Sequence, residues 1–560
     1  MIYSHKSPAL LIIGILMLLW GWMNNAGTLD GMQGWLHPGP YKEHAQAAEK
    51  HAADTKAAAE KAAAESQPAP EAKPMKPSKF DGTKAGQAQL AYILGGLFTA
   101  VGVLVLVLPK KEGHLDYYAG VVPGMAFIVG IACAVRWILD PMFANWGKAA
   151  QPTLGWDFAK IMNLTYVVLG IVLGMIIVNL LRIPAWAANG VRTARLFLKT
   201  GVVLLGTLYS AAELAQLGAL SVVMIGIFVL GSVWLVLLAG PRMGASNSMT
   251  GVLSSGVGVC GVSAAVAASP VVNAKAVDIA FTLGTILLWG VLCMFTFPTI
   301  GQLLGMGPVQ FGAWAGTGIL NSAQVAGAAL AFDPQGIETL KVAEIFNITR
   351  VLFLPIIVVW LVAWYVKREA GAQKVDLGKV LVAKFPVFVL GFLFMFLLST
   401  LGMFAPPGHY QGKYFSSEQV KEDKLLKEKE IAALQAHLPK LTKPEETKAL
   451  QDLIANRKLT SREQDHVLKG VSKAAKDDKA VKDAVGAANK AAWHDSKIIR
   501  AFRDWIAWLF AIGLTGLGMQ ITVASIKQAG GKPLIIGSVV GIIKAVGSLI
   551  VVLLFVKEFV

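Results

Sequence analysis

The stretch that decides the fold is "SSGVGVCGVSAAVAASPVV", from Ser254 to Val272, where small and helix-breaking residues interrupt an apolar composition. Gly256, Gly258 and Gly261 follow one another closely, and Pro270 ends the run. At membrane depth, such residues are tolerated only where protein or a water-filled cavity surrounds the backbone, because lipid cannot satisfy free N–H and C=O groups. The stretch therefore predicts either a broken helix that offers backbone groups to a ligand or a small-residue face for close helix packing.

The composition of the whole chain supports a membrane setting. Of 560 residues, 55% are hydrophobic and 15% are charged, and the mean hydropathy is +0.57. A soluble chain of this length would carry more charge. Apolar runs of about 20 residues recur, enough to cross about 30 Å of hydrocarbon, and the alternation of a membrane β-barrel is missing. We expect an all-α polytopic membrane protein.

The apolar runs define thirteen predicted membrane segments and the domains around them. We expect a retained signal anchor (1–25), an extracytoplasmic Ala/Lys/Glu-rich helix and linker (26–87), accessory helices (88–159) and an extracytoplasmic helical insertion (404–499). The insertion is either a solvated appendage or a docking module. The thirteen segments are 8–25, 88–108, 118–139, 160–181, 196–214, 217–239, 244–270, 277–303, 308–331, 341–366, 377–403, 500–524 and 533–556.

The net charge of +16 reflects topology rather than nucleic-acid binding. The polar segments 38–88 and 404–498 are nearly balanced, and most of the excess lies in short connections at helix ends. Successive short connections between the predicted segments lie on alternate sides of the membrane. One side holds many more Lys and Arg than the other, and we assign that side to the cytoplasm because cytoplasmic loops carry an excess of basic residues. This predicts an inner-membrane protein with a cytoplasmic N-terminus. The C-terminus and both polar segments then lie outside.

A second glycine-rich stretch, "AIGLTGLGMQITVASIKQAGGKP" from Ala511 to Pro533, suggests internal symmetry. Residues 160–303 hold five segments with the glycine-rich one fourth, and residues 308–403 with 500–560 hold five more in the same order. An odd number of helices per half makes the halves insert in opposite directions, as in inverted-repeat transporters. We therefore expect two crossing broken helices, at residues 256–263 and 513–520. Free N–H ends would suit an anion and free C=O ends a cation.

Polar residues inside other apolar segments extend this predicted site. Asn321, Ser322 and Gln324 lie in "FGAWAGTGILNSAQVAGAALAF", and Arg350 and Lys544 are full charges in apolar surroundings. A mid-membrane lysine costs about 2.5–3.5 kcal/mol on insertion scales, so a functional role is the default hypothesis. The alternatives are interhelical hydrogen bonding for the polar groups and, for Lys544, a partner carboxylate at Glu344 or Asp278.

The sequence shows no metal-ligand spacing, nucleophile triad, P-loop or dinucleotide fingerprint, so we expect no enzyme. The three cysteines, Cys133, Cys260 and Cys293, have no CxxC spacing that would suggest zinc or a disulfide framework. We expect no cofactor beyond coupling to Na+ or H+.

Several landmarks resemble one known family. "GVGVCGVSAAVAASPVVNAKAVDIAFTLGTI", "AQVAGAALAF", "TRVLFLP" and "GLGMQITVASIKQAGGKPL" are similar, in this order, to the sulfate exporter (YeiH-like) family. The likeness covers roughly 118–403 and 500–560. It implies an inverted-repeat fold like that of sodium/proton antiporters (NhaA) and bile-acid symporters, and inorganic anion export.

The chain also departs from the family pattern. A His-Glu pair is common where Asn321 and Ser322 stand, an acidic residue at Ser269, and lysine at Asn273 and Asn347. This chain has lost ionisable groups at those positions and has gained Lys544.

These observations predict a secondary active transporter that exports a small anion, such as sulfate, another sulfur oxyanion or a sulfonate, by alternating access. A sodium-coupled symporter of a small organic acid and a non-transporting membrane scaffold remain alternatives. The expected partners are the anion, the bilayer, a second copy in a homodimer, and a protein bound through 404–499. The predicted site comprises Ser255, Gly256, Gly258, Cys260, Gly261, Ser263, Asn321, Ser322, Gln324, Arg350, Thr515, Gly516, Gly518, Gln520 and Lys544.

Overall fold

The computed structural model describes most of the chain. It leaves out residues 1–6, 65–77, 108–113, 156, 163, 210, 335–336, 370–385, 407–408, 410–411, 442, 476–477 and 558–560. The predicted linker 66–77, the start of the predicted segment 377–403 and the basic residues Lys6, Lys110 and Lys111 therefore lie outside the described residues.

Helices account for nearly all of the described structure. Up to residue 208 they are α1 (Ala9–Asn25), α2 (Asp30–Leu36), α3 (Pro38–Ala64), α4 (Lys79–Val107), α5 (His114–Ala134), α6 (Asp140–Leu154), α7 (Phe158–Ile161), α8 (Tyr166–Ile176), α9 (Ala188–Val191) and α10 (Ala194–Leu205). Residues 211–400 form α11 (Ala211–Arg242), α12 (Asn247–Gly258), α13 (Val262–Ala268), α14 (Ala276–Leu303), α15 (Pro308–Gly318), α16 (Ser322–Phe332), α17 (Glu338–Leu352), α18 (Leu354–Val366) and α19 (Val387–Thr400).

The remaining part contains two short strands as well as helices. They are β1 (Lys413–Phe415), α20 (Glu428–His437), α21 (Pro444–Asn456), α22 (Arg462–Ala474), α23 (Lys479–Ala492), β2 (Trp493–Asp495), α24 (Lys497–Gly518), α25 (Val523–Lys527) and α26 (Gly531–Phe555). Short π-helical turns lie at Val135–Leu139 and Ile177–Leu181, and 3-10 turns lie at Gly206–Leu208, Glu422–Lys424 and Leu438–Lys440.

In the described part of the chain, each of the thirteen predicted segments overlaps at least one of these helices. Within the described residues, six helices are long and apolar enough to cross a membrane, or seven if α1 and α2, bent by 88° at their junction, form one span. The structure is thus that of a helical protein with several transmembrane spans. The count of thirteen and the five-plus-five repeat stay predictions.

The chain divides into two compact units, each described here by itself. The first comprises Met1–Thr200, Ser221–Phe385 and Trp508–Val560, and the second comprises Gly201–Leu220 and Pro386–Ala507. The predicted domain boundaries differ from this division, which joins the 404–499 insertion to residues 201–220, 386–403 and 500–507.

In the first unit, glycine allows α1 and α4 to pack at very short range. A Cβ atom on Gly14 would lie 2.5 Å from the amide nitrogen of Thr99, and one on Gly102 would lie 2.7 Å from that of Leu11. Small residues serve this purpose in membrane proteins because backbones can then approach closely.

The second unit contains the insertion, which has a hydrophobic core of its own. Leu434, Leu450, Leu453, Leu468 and Val485 are among its fully buried side chains. The strands β1 and β2 pair antiparallel, with Lys413 opposite Asp495, so the two ends of the insertion lie side by side. The sequence predicts the helices here but not this two-stranded ribbon.

Candidate functional site at two helix breaks

The glycine-rich stretch at residues 254–272 forms a broken helix. Helix α12 ends at Gly258, α13 begins at Val262, and the hydroxyl of Ser255 donates to the carbonyls of Val252 (2.9 Å) and Ala264 (3.2 Å). This hydroxyl therefore ties the two half-helices together across the break. Gly256 and Gly258 pack closely against neighbouring helices, on Ile286 and Val233 respectively.

Gly261 is required at this break for two reasons. Its φ is +77°, a conformation that side chains rarely adopt. A Cβ atom there would also lie 2.9 Å from Cα of Asn321 and 3.0 Å from its Cβ. The backbone of the first break is therefore pressed against the chain at residue 321.

The segment around residue 321 is itself a second helix break. Helix α15 ends at Gly318, and α16 begins at Ser322, with Ile319 and Asn321 in extended conformation between them. The amide of Ser322 donates to the carbonyl of Cys260 at 3.4 Å, so the two breaks are in direct contact. The sequence predicts polar residues here but not a break.

Lys544 closes the C-terminal end of the first half-helix. Its ammonium, 1% exposed, donates to the carbonyls of Val257 and Gly258, each at 3.0 Å. These are terminal carbonyls of α12, where the helix dipole places partial negative charge, so a cation is stabilising there. Of the suggested partners, Asp278 instead accepts from the hydroxyl of Ser248 at 2.5 Å.

Arg350, which is fully buried, donates to the backbone at the second break, as Lys544 does at the first. Its guanidinium donates to the carbonyl of Ile319, to Oγ of Ser322 (3.3 Å) and to Oδ1 of Asn347 (3.0 Å). The amide of Asn347 in turn donates to the carboxylate of Glu344 at 3.0 Å. A chain of hydrogen bonds thus links Glu344 to the second break.

Close packing places Arg350 beside this break. Gly312 and Gly316, four residues apart on α15, face α17, and Cβ atoms on them would lie 2.7 Å from Cβ of Val342 and 2.5 Å from Cβ of Phe346. The near approach of α15 and α17 brings the last turn of α17, which carries Arg350, level with the end of α15.

Several buried polar atoms around the second break have no hydrogen-bond partner among the described residues. They are Nδ2 of Asn321, Nε2 and Oε1 of Gln324, and Nε of Arg350. Gln324 is fully buried, and Gly290 on α14 makes room for it, since a Cβ there would collide with its Oε1. Unpaired buried polar groups are rare and costly, so each calls for an explanation such as a ligand.

A third cation reaches this region. The charges of both Arg350 and Arg195 act on the thiol of Cys260, and Nε of Arg195 is buried without a partner among the described residues. The sequence reasoning counts Arg195 only as a topology-setting residue. Its signal is helical spacing: Arg195 shares a face of α10 with the buried Leu198 and Val202.

The residues predicted at 513–520 pack elsewhere, and the predicted crossing of this stretch with the first break stays a prediction. Helix α24 ends at Gly518 and α25 begins at Val523, and the glycines of α24 serve close packing. A Cβ on Gly516 would lie 2.6 Å from that of Ala194, and Gly518 presses on Ile171. The Thr515 hydroxyl donates to Ala511 within its own helix (2.8 Å), and Gln520 donates to Val191 (2.7 Å).

The structure thus separates the predicted site residues into three groups. The two breaks bring together Ser255, Gly258, Cys260, Gly261, Asn321, Ser322, Gln324, Arg350 and Lys544, with Gly256 behind them. Ser263 is exposed. Thr515, Gly516, Gly518 and Gln520 belong to the helix packing around α8 and α10. No group of three or more His, Cys, Asp or Glu residues that could hold a metal occurs in the described part of the chain.

The fold and site define a multi-pass helical membrane protein with two helix breaks in contact and a buried cation at each. The chain belongs to the family described as "Conserved hypothetical protein 698", whose model matches residues 123–433. A "UPF0324 membrane protein" of Nitratidesulfovibrio vulgaris is 35% identical over 80% of this chain and 99% of its own length.

Other relatives carry the same name and extend the comparison. A second protein of Nitratidesulfovibrio vulgaris is 35% identical over 52% of this chain and 79% of its own length. One from Streptococcus agalactiae is 30% identical over 37% of this chain and 62% of its own length. No solved structure matches. The names of these relatives state a membrane protein and no substrate.

Proposed function

We propose that this protein is a secondary active transporter of a small anion, which binds where the two helix breaks meet. The observation that carries the proposal is the contact between Gly261 and Asn321, with buried cations at the adjoining helix ends. Broken helices at membrane depth serve as ligand sites in transporters because their free backbone groups are shielded from lipid.

The charges favour an anion over a cation. The carbonyl ends of the half-helices are the natural ligands for sodium, and here they already accept from Lys544 and Arg350. The charges of Arg350 and Arg195 both act on Cys260, and the hydrogen-bond chain described above joins one carboxylate, Glu344, to Arg350. A sodium-coupled symporter is therefore less well supported.

The unpartnered groups favour an oxyanion in particular. Of the four unpartnered atoms, Oε1 of Gln324 is an acceptor. The other three, Nδ2 of Asn321, Nε2 of Gln324 and Nε of Arg350, are donors, and a deprotonated oxyanion offers only acceptors. Donors aimed at an anion in a site of low dielectric give strong, charge-assisted hydrogen bonds. Sulfate, other sulfur oxyanions and sulfonates are the substrates we propose. The family resemblance implies export as the direction, and we propose no catalytic role.

Transport assays in proteoliposomes test this proposal. Purified protein is reconstituted and assayed for flux of radiolabelled sulfate, thiosulfate and methanesulfonate, with and without a sodium gradient. We expect flux of at least one of these anions without sodium, and we expect Arg350→Ala to abolish it. The matched control is Arg242→Ala, because Arg242 is exposed and donates only within its own helix, to Leu238 at 3.0 Å.

Two results would overturn the proposal. One is the absence of flux for all three anions in the wild-type protein. The other is an Arg350→Ala variant that elutes as a folded species in size-exclusion chromatography and retains full flux. Flux that strictly requires sodium would instead support the symporter.

A further inference from the structure

The buried carboxylate of Glu344 has no role in the proposed anion site itself, yet the structure connects it to that site. Glu344 is 2% exposed and accepts from Nδ2 of Asn347, whose Oδ1 accepts from Arg350. Arg350 then holds the carbonyl of Ile319 and the hydroxyl of Ser322 at the second break. Three residues of one helix, at i, i+3 and i+6, thus form a line from a carboxylate to the break.

Few other charges face Glu344. Helices α15 and α16, which pack against α17, contain no titratable residue, and α18 contains only Tyr365 near its far end. Helix α11 meets α17 at Ser221 and Thr349 and carries titratable residues only in its first three positions and at its last. On α17 itself, Lys341 is one turn away, buried and engaged in a contact of its own, and Glu338 lies in the first turn.

We propose that Glu344 is the proton-binding residue of the transport cycle, and that a proton and the anion bind together. This inference rests on the proposed function. Without a ligand, Arg350 stabilises the negative charge of Glu344 through Asn347. An anion bound to Arg350 brings a second negative charge close to this carboxylate in a region of low dielectric, and the repulsion between the two negative charges favours protonation of Glu344.

The step is a simple proton binding. A proton from solution adds to a carboxylate oxygen of Glu344 when the anion binds, and it leaves when the anion is released. Because linkage is reciprocal, a lower pH must tighten anion binding by the same factor by which the anion favours protonation. The anion and the proton therefore cross in the same direction, so the anion gradient and the proton gradient together set the direction of net transport. Glu344 acts through Asn347 and Arg350 and is a positioning residue rather than a ligand of the anion.

Proton uptake on anion binding tests this inference directly. Purified protein in weakly buffered detergent solution is titrated with sulfate and with methanesulfonate, neither of which takes up protons near neutral pH. A pH indicator records proton uptake, and isothermal calorimetry in parallel records binding. We expect uptake of about one proton per bound anion in the wild-type protein. We expect Glu344→Gln to bind the anion with no proton uptake and no pH dependence.

Two further variants keep the result interpretable. Glu344→Asp retains a carboxylate and should restore proton uptake even if Glu344→Gln folds poorly. Asp278→Asn removes another buried carboxylate, which accepts from Ser246 and Ser248 at the start of α12, and should leave proton uptake unchanged.

The outcomes separate the two proposals. If the wild-type protein binds the anion and Glu344→Gln takes up protons as the wild type does, the inference about Glu344 is overturned and the transporter proposal stands. Absence of binding by both probes, at every pH tested, overturns both. Loss of proton uptake in Asp278→Asn, with Glu344→Gln unaffected, would assign the proton to the other carboxylate.

Discussion

Gly261 lies directly against Asn321, and this contact joins the two helix breaks. A Cβ atom on Gly261 would be 2.9 Å from Cα of Asn321, and the φ of Gly261 is +77°. The position therefore excludes other residues both by its space and by its conformation. The predictions below follow from this contact and from the groups around it.

Replacing this glycine should damage the site more than replacing others. Gly261→Ala must strain a left-handed conformation and move a backbone, at a cost of about 1–3 kcal/mol. We expect a lower melting temperature in detergent and loss of anion flux. Gly231→Ala on α11 is the control, because nothing lies within 4 Å of a Cβ there. Equal flux and melting temperature for both variants would contradict a tight junction of the breaks.

Removing the ammonium of Lys544 should leave two buried carbonyls without a donor. We expect Lys544→Met to lower the free energy of unfolding by about 1–3 kcal/mol, the usual cost of unsatisfied buried polar groups, and to abolish anion binding. Lys532→Met, at an exposed lysine that donates to the carbonyl of Gly244, is the matched control. A more stable Lys544→Met protein with normal flux would show that the lysine is not part of the site.

The side chain of Gln324 should lower the stability of the protein while it contributes to anion binding. Its amide is fully buried without a partner among the described residues, so Gln324→Leu removes an unsatisfied polar group while keeping similar volume. We expect the variant to be as stable as wild type or more stable by about 1–3 kcal/mol, with weaker anion binding. Calorimetry and thermal unfolding measure the two effects. A less stable variant with unchanged binding would indicate that Gln324 is a structural residue.

The insertion should be dispensable for transport. The amide of Ser496 donates to the carbonyl of Gly412 at 3.0 Å, so removal of residues 413–495 and direct joining of these ends requires little movement. We expect the shortened protein to retain anion flux in proteoliposomes. A shortened protein that folds, as judged by size-exclusion chromatography, but transports nothing would favour a scaffold or a docking role that involves 404–499.

The insertion should also fold as a cooperative unit that depends on Asp465. This carboxylate, 2% exposed, accepts from Asn489 (2.6 Å) and Trp493 (3.0 Å) and pairs with Lys469 (2.8 Å). We expect Asp465→Ala to destabilise the isolated segment 412–496 by about 1–3 kcal/mol, because it removes the hydrogen bonds that this carboxylate accepts from Asn489 and Trp493. Circular dichroism melting of this segment measures the change. Asp452→Ala, at an exposed position on α21, is the control, and an equal effect of both would contradict the assignment.

The sequence predicts the helical membrane class and the approximate positions of the long apolar helices because apolar run length reports both. It predicts less about the breaks, since glycine serves a break and a close packing contact equally well. Gly258 and Gly261 lie at a break, whereas Gly513 and Gly516 lie inside a helix that packs on its neighbours. Composition alone cannot separate these uses, because both require only that a Cβ be absent.

Charged residues show the same ambiguity. Arg195 differs in sequence from the basic residues that set topology only in its helical spacing with Leu198 and Val202, and it is the fold that lets its charge act on Cys260. Lys544 is recognised from its depth in an apolar segment, but its partners are carbonyls that only the fold brings to it. Long-range hydrogen bonds of this kind leave no periodic signal in the sequence.

The most direct test of the central claim is to locate the anion. Selenate replaces sulfate as a heavier analogue, and a crystal structure of the protein grown with it shows the selenium by anomalous scattering. We predict a peak at the junction of residues 259–261 and 319–321, with the selenium about 4 Å from the nitrogen atoms of Asn321 or Arg350, because the selenate oxygens accept from these nitrogens at about 3 Å. A peak elsewhere, or none at this junction under conditions in which the protein transports sulfate, would contradict the claim.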